Sequence, residues 1–277
     1  MPHMPDFRFS SQSLQDYVEC QRRFALRYLQ KLDWPAEESS PYLAFEQFRQ
    51  KGNQFHACVD QYFHYVDPKA IESRITDDEL RQWWQSFLQF MTGKNFTFSA
   101  SEVLFQTNLN EHVLIAKFDL LVLQANGNFT IYDWKTTASE KEPNPKFLKE
   151  KMQTRIYPFV LSRSSNLANG KQAVQPAQVE LVYWFPQFPD QSVNFPYSSL
   201  QMQDDEKMIA GLMNEISQKA IADFPKTEDD KRCRFCVYRS YCGRGKQAAN
   251  IFEGEAEFDF DLSDLDLDIE KIEEISY

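Results

Sequence analysis

The chain has 277 residues, 42% of them apolar and 15% aromatic, enough for one large domain or two small ones with a genuine core. No stretch approaches the ~18 consecutive apolar residues of a membrane span. The opening MPHMPDFRFSSQS lacks the basic and apolar regions of a secretion signal, so the expectation is a cytoplasmic protein with no membrane partner. The net charge of −11 argues against nucleic acid until its distribution is read: residues 251–277 hold eleven acids and one lysine, a charge of −10, which leaves −1 on residues 1–250.

The segment SQSLQDYVECQRRFALRYLQKL reads as one helix with Leu14, Tyr17, Phe24 and Tyr28 on an apolar face, capped by Ser11 or Ser13. Residues 42–66 form a second helix, with Phe48, Phe55, Val59, Tyr62, Phe63 and Val66 in helical period. Residues 77–92 form a third, opened by TDDE and carrying Leu80, Trp83, Trp84, Phe87 and Met91. Three short apolar runs follow at 101–110, 112–124 and 128–135, broken by NEH and ANGN, as in an antiparallel meander. Residues 146–163 are predicted helical with a kink at Pro158. Strands at 179–185 and 192–197 and an amphipathic helix at 199–222 complete the series. The whole is an α/β fold around one sheet, with residues 1–250 as a domain and 251–277 as an acidic, disordered tail.

The candidate chemistry lies in this frame. IYDWKTT ends a strand with Asp133 and Lys135 on one side. Asp119 lies one strand earlier, and antiparallel pairing can bring the two carboxylates together, where they need a cation or proton between them. Oxygen ligands of this kind suit Mg²⁺ or Mn²⁺. The alternative is a pair of ordinary strand-end acids. His56 shares a helix face with Gly52, four residues before it, and Gln153 shares one with Tyr157. Each alone reads as a packed or solvated residue.

The order is more telling than any one group. G-x-x-x-H on a helix, Asp in a strand, Asp-x-Lys ending the next strand and Q-x-x-x-Y on the following helix resemble the RecB-like branch of the PD-(D/E)XK nuclease superfamily, over most of residues 10–245. The resemblance implies a restriction-endonuclease-like core, a mixed sheet flanked by helices. It implies a metal held by His56, Asp119, Asp133 and the Trp134 carbonyl, with Lys135, Gln153 and Tyr157 completing the site. Two features depart from the pattern: Ala116, followed by Lys117, stands where a glycine often precedes the first Asp, and Pro158 follows Tyr157.

Cys233, Cys236 and Cys242 form a close triplet, for which a fourth ligand is available in Cys20. Thiolates suit zinc or an iron–sulfur cluster. One remote N-terminal cysteine with a C-terminal triplet resembles the iron–sulfur staple of AddB-type and CRISPR-adaptation nucleases, which implies a structural [4Fe–4S] cluster, with Zn²⁺ as the competitor. Cys58 reads as a small core residue. Lys231, Arg232, Arg234, Arg239, Arg244 and Lys246, interleaved with Tyr238 and Tyr241, suit a nucleic-acid backbone or a plain solvated face. The function expected is a metal-dependent deoxyribonuclease acting on single-stranded DNA or DNA ends, an exonuclease before an endonuclease. The alternative is a non-catalytic DNA-binding or scaffolding subunit. The acidic tail is either a solubility device or a dock for the basic patch or a protein partner.

Overall fold

The computed structural model describes residues 7–32, 40–137, 141–164, 174–233 and 236–245, with the backbone alone for 40–46. Arg234, Lys246 and the acidic tail therefore lie outside the described residues.

The chain opens with a short strand β1 (Arg8–Phe9) and helix α1 (Ser11–Glu19). The cap of α1 is Ser10, one residue before the expected serines: its hydroxyl accepts from the Ser13 amide at 3.1 Å while Ser13 Oγ accepts from the Ser10 amide at 2.8 Å. The single helix expected here is interrupted. Cys20 is extended (φ −160°, ψ 103°), and the chain resumes as α2 (Gln21–Phe24) and a π-helical turn over Ala25–Leu29.

Helices α3 (Ser40–Phe63), α4 (Pro68–Glu72) and α5 (Asp78–Met91) follow, with the TDDE signal realised as an Asp77 cap on the Leu80 amide at 2.8 Å. Strands β2 (Phe98–Leu109), β3 (His112–Leu123) and β4 (Phe129–Trp134) form the expected antiparallel meander. Helices α6 (Pro145–Glu150) and α7 (Met152–Arg163) cross over to β5 (Val179–Trp184), which runs parallel to β4. The break expected at Pro158 falls instead at Lys151, which is extended (φ −65°, ψ 140°), and α7 runs on through Pro158. Strand β6 (Val193–Pro196) pairs antiparallel with β5, and α8 (Ser199–Gln218) closes the fold.

The sheet is mixed, in the order β1-β3-β4-β5-β6 with β2 on the other edge of β3. Its two faces carry separate cores. One joins α1, α7 and α8 through Leu14, Ile156, Phe159 and Met213 to Phe118, Ile131 and Leu181. The other joins α3 and α5 through Phe55, Trp84 and Phe87 to Leu120, Trp134 and Trp184. Both faces are covered, so β4 is buried at every position, including Asp133. No described helix is long and apolar enough to cross a membrane.

Candidate functional site

β3 and β4 pair from Leu123 opposite Phe129 to Leu120 opposite Tyr132, and one further step sets Asp119 against Asp133 at the strand end. The two carboxylates have different partners. Asp119 Oδ2 accepts from the Trp134 amide at 2.8 Å, and Oδ1 lies 3.5 Å from His56 Nδ1. Asp133 Oδ2 lies 2.6 Å from Lys135 Nζ, while Oδ1 accepts from Gln153 Nε2 at 2.6 Å. Gln153 Oε1 closes the loop, accepting from Lys135 Nζ at 2.7 Å. The Lys135 ammonium also sits 5.2 Å from the centre of the Tyr183 ring. Lys135 is 4% exposed, and its ammonium meets the Asp133 carboxylate and an amide supplied by the next helix.

His56, Asp119 and Glu102 form the second part. One ligand atom from each lies within 4.8 Å of the others. His56 Nε2 is buried and has no hydrogen-bond partner among the described residues. Burial would lower the His56 imidazole, but the Asp119 carboxylate, aided by Glu102 and Asp133, overrides it and pushes the group up to about 9. Burial would likewise raise Asp119, yet His56, then Lys135 and the Trp134 amide, hold it below the usual carboxylate range. An imidazole with a buried free nitrogen beside two carboxylates is a donor set that fits a divalent metal.

Gly52, one turn before His56, packs on the strand end. A Cβ there would stand 2.8 Å from Thr136 Oγ1, the residue after Lys135. The Tyr157 ring packs against Phe118 at 5.0 Å, within the α7 core. Glu102 escaped sequence reading because nothing in SEVLF marks it out from other strand acids.

Cys20, Cys233, Cys236 and Cys242 line one pocket together with Arg23, Arg232, Arg239 and Arg244. Burial raises the Cys233, Cys236 and Cys242 thiols, and neighbouring sulfurs push the same way. The extended break at Cys20 is what turns its side chain out of the helix register towards this segment. The basic patch is partly neutralised. Arg232 pairs with Glu19 and Asp229, each at 3.3 Å, and Arg244 pairs with Asp230. Arg239 donates to the Cys236 carbonyl at 3.4 Å, while Lys231 is exposed.

A family model described as the PD-(D/E)XK nuclease superfamily matches residues 8–243. The chain belongs to that superfamily. Its mixed sheet with helices on both faces is the corresponding core. Among solved structures, that of SSO0001 is 19% identical, aligned over 88% of each chain with a TM-score of 0.43. A candidate exonuclease from Eubacterium rectale is 13% identical over 76% of this chain and 79% of its own, with a TM-score of 0.41. No curated protein matches. Divalent metals are the working cofactors of PD-(D/E)XK nucleases, and the His56–Glu102–Asp119 cluster fits one.

Proposed function

We propose that this PD-(D/E)XK chain is a metal-dependent deoxyribonuclease of the RecB-like iron–sulfur branch, acting on single-stranded DNA or DNA ends and exonucleolytic before endonucleolytic. The observation that carries the reading is the meeting of two groups at one strand end: the donor set His56–Glu102–Asp119 and the buried Lys135 fixed by Asp133 and Gln153. A metal bound there supplies Lewis-acid stabilisation of the scissile phosphate and an acidified water. The protein's own part is positioning. His56, Asp119, Asp133 and the Trp134 carbonyl would hold the ion, with Glu102 beside them. Asp133 and Gln153 aim the Lys135 ammonium at the charge that develops on the phosphate, in a site where the low dielectric strengthens it. Tyr157 supports this arrangement through its packing on Phe118.

For the second metal centre we favour a structural [4Fe–4S] cluster on Cys20, Cys233, Cys236 and Cys242. All four line one pocket. The cluster would clamp the N-terminal helices to the C-terminal segment, making residues 1–250 one domain. Lys231, Arg232, Arg239 and Arg244, with Arg234 and Lys246, are proposed to meet the DNA backbone at its rim, and the tail to compete for that patch or dock a partner protein.

Protein purified without air should be brown and should cleave end-labelled DNA in Mn²⁺ or Mg²⁺, with Lys135→Ala reducing the rate at least a hundredfold. Equal cleavage by the variant would overturn the reading. Brown, folded, inactive wild-type protein would favour the non-catalytic DNA-binding subunit.

A further inference from the structure

β2 and β3 keep one register from Phe98 opposite Leu123 to Leu109 opposite His112, with a single lapse. Ser101 pairs with Leu120 and Val103 with Phe118, but Glu102 and Asp119 between them do not pair. Glu102 has φ +51°, in the left-handed region, which a non-glycine residue in mid-strand adopts only under strain. The strand's alternation breaks at the same place. Phe118 and Leu120 are two residues apart and should share a face, yet they join opposite cores. Strain at such a point is held where the surroundings over-determine it.

The kink delivers the Glu102 carboxylate to two competing partners. One is the His56–Asp119 pair. The other is Lys117, a diagonal neighbour across the strands, whose ammonium forms an ion pair with Glu102. Lys117 is the residue that follows Ala116 in the departure from the G-x-x-D pattern. Both partners of the pair are roughly a quarter exposed, at 27–29%, so the ammonium lies at the open edge of the site. Asp119 stands close by, and Lys117 supplies Glu102 with a counter-charge.

We propose that Glu102 is a carboxylate shared between a divalent metal and Lys117, so that metal binding withdraws Glu102 from the lysine and frees the Lys117 ammonium to take a DNA phosphate oxygen. This rests on the metal reading given above. It couples the two binding events: each makes the other tighter, by the same factor.

The test is a double-mutant cycle on Mn²⁺ affinity, read by electron paramagnetic resonance of free Mn²⁺ with full-length protein and no DNA. Lys117→Met should tighten Mn²⁺ binding at least fivefold, and Glu102→Gln should weaken it at least tenfold. In the Glu102→Gln background, Lys117→Met should change affinity by less than twofold. Glu102→Gly, which suits the backbone and lacks the carboxylate, serves if the Gln variant misfolds. A second readout uses a single-stranded oligonucleotide in a Lys135→Ala background that cannot cleave it. There Lys117→Met should lower the salt dependence of binding by about one unit with Mn²⁺ present and leave it unchanged in EDTA. Equal effects of Lys117→Met in both Glu102 backgrounds would mean a mere distant charge and would overturn the proposal, as would unaltered Mn²⁺ affinity in Glu102→Gln. Wild-type protein that binds no Mn²⁺, or binds it equally well as His56→Ala, would fail the metal reading itself.

Discussion

At the residue scale, His56 reports the charge of the site. Its pKa of about 9 means that at pH 7 the metal-free protein holds a proton on the imidazole. Because the folded value lies above the ordinary 6.5, the His56–Asp119 pair stabilises the metal-free fold fully below about pH 6.5 and loses that contribution as pH rises through 9. A metal takes neutral imidazole, so Mn²⁺ binding at pH 7 should release about one proton from this group, and the release should vanish towards pH 10. Calorimetric titration in two buffers of different ionisation enthalpy measures this; pH-independent proton release would contradict it. That His56, Asp119, Asp133, Lys135 and Gln153 come together was legible in the sequence because each sits at a fixed place in a periodic element. The place of Glu102 beside them was not, because it depends on a left-handed backbone that no sequence pattern marks. Tyr157 was legible as a helix-face partner of Gln153, but its ring contact with Phe118 of β3 was not, since spacing does not say how deep a ring packs.

At the scale of elements, period predicted the helices and strands well and their interruptions poorly. Cys20 breaks the first helix in a stretch whose apolar face runs on without a gap. Lys151 breaks the later one, and the amide of Met152 beyond it finds Gln15 of α1 at 2.8 Å, a contact 137 residues apart that no local pattern encodes. Pro158 is tolerated inside α7, while Ser162 Oγ takes up its carbonyl at 2.8 Å. The contact of α3 with the β4 end gives a sharper test. Glycine to alanine in an unhindered helix interior stabilises by roughly 0.8–1 kcal/mol. At Gly52 the new methyl meets buried Thr136 Oγ1 at 2.8 Å, so Gly52→Ala should instead destabilise, by about 1–3 kcal/mol. It should also slow cleavage by shifting Lys135, next to Thr136. Thermal unfolding and rate should both recover in Gly52→Ala/Thr136→Ala. Stabilisation by Gly52→Ala alone would show that the close approach is not real.

At the scale of the molecule, the mixed sheet has a core on each face, and the ends of its two central strands are where α3 from one face and α7 from the other both reach. That convergence explains why residues scattered from 56 to 153 form one site. The layered α/β architecture was legible because strand runs and helix periods alternate in order. The gathering of Cys20 with the C-terminal triplet was legible only through resemblance, since no spacing joins positions 20 and 233. Anomalous diffraction from a crystal grown with Mn²⁺ would show whether the strand end binds a divalent metal. One strong peak is expected, bounded by His56, Glu102 and Asp119, with Lys135 still held by Gln153. A Mn²⁺ peak elsewhere, with His56 still paired to Asp119 and no density between them, would contradict it.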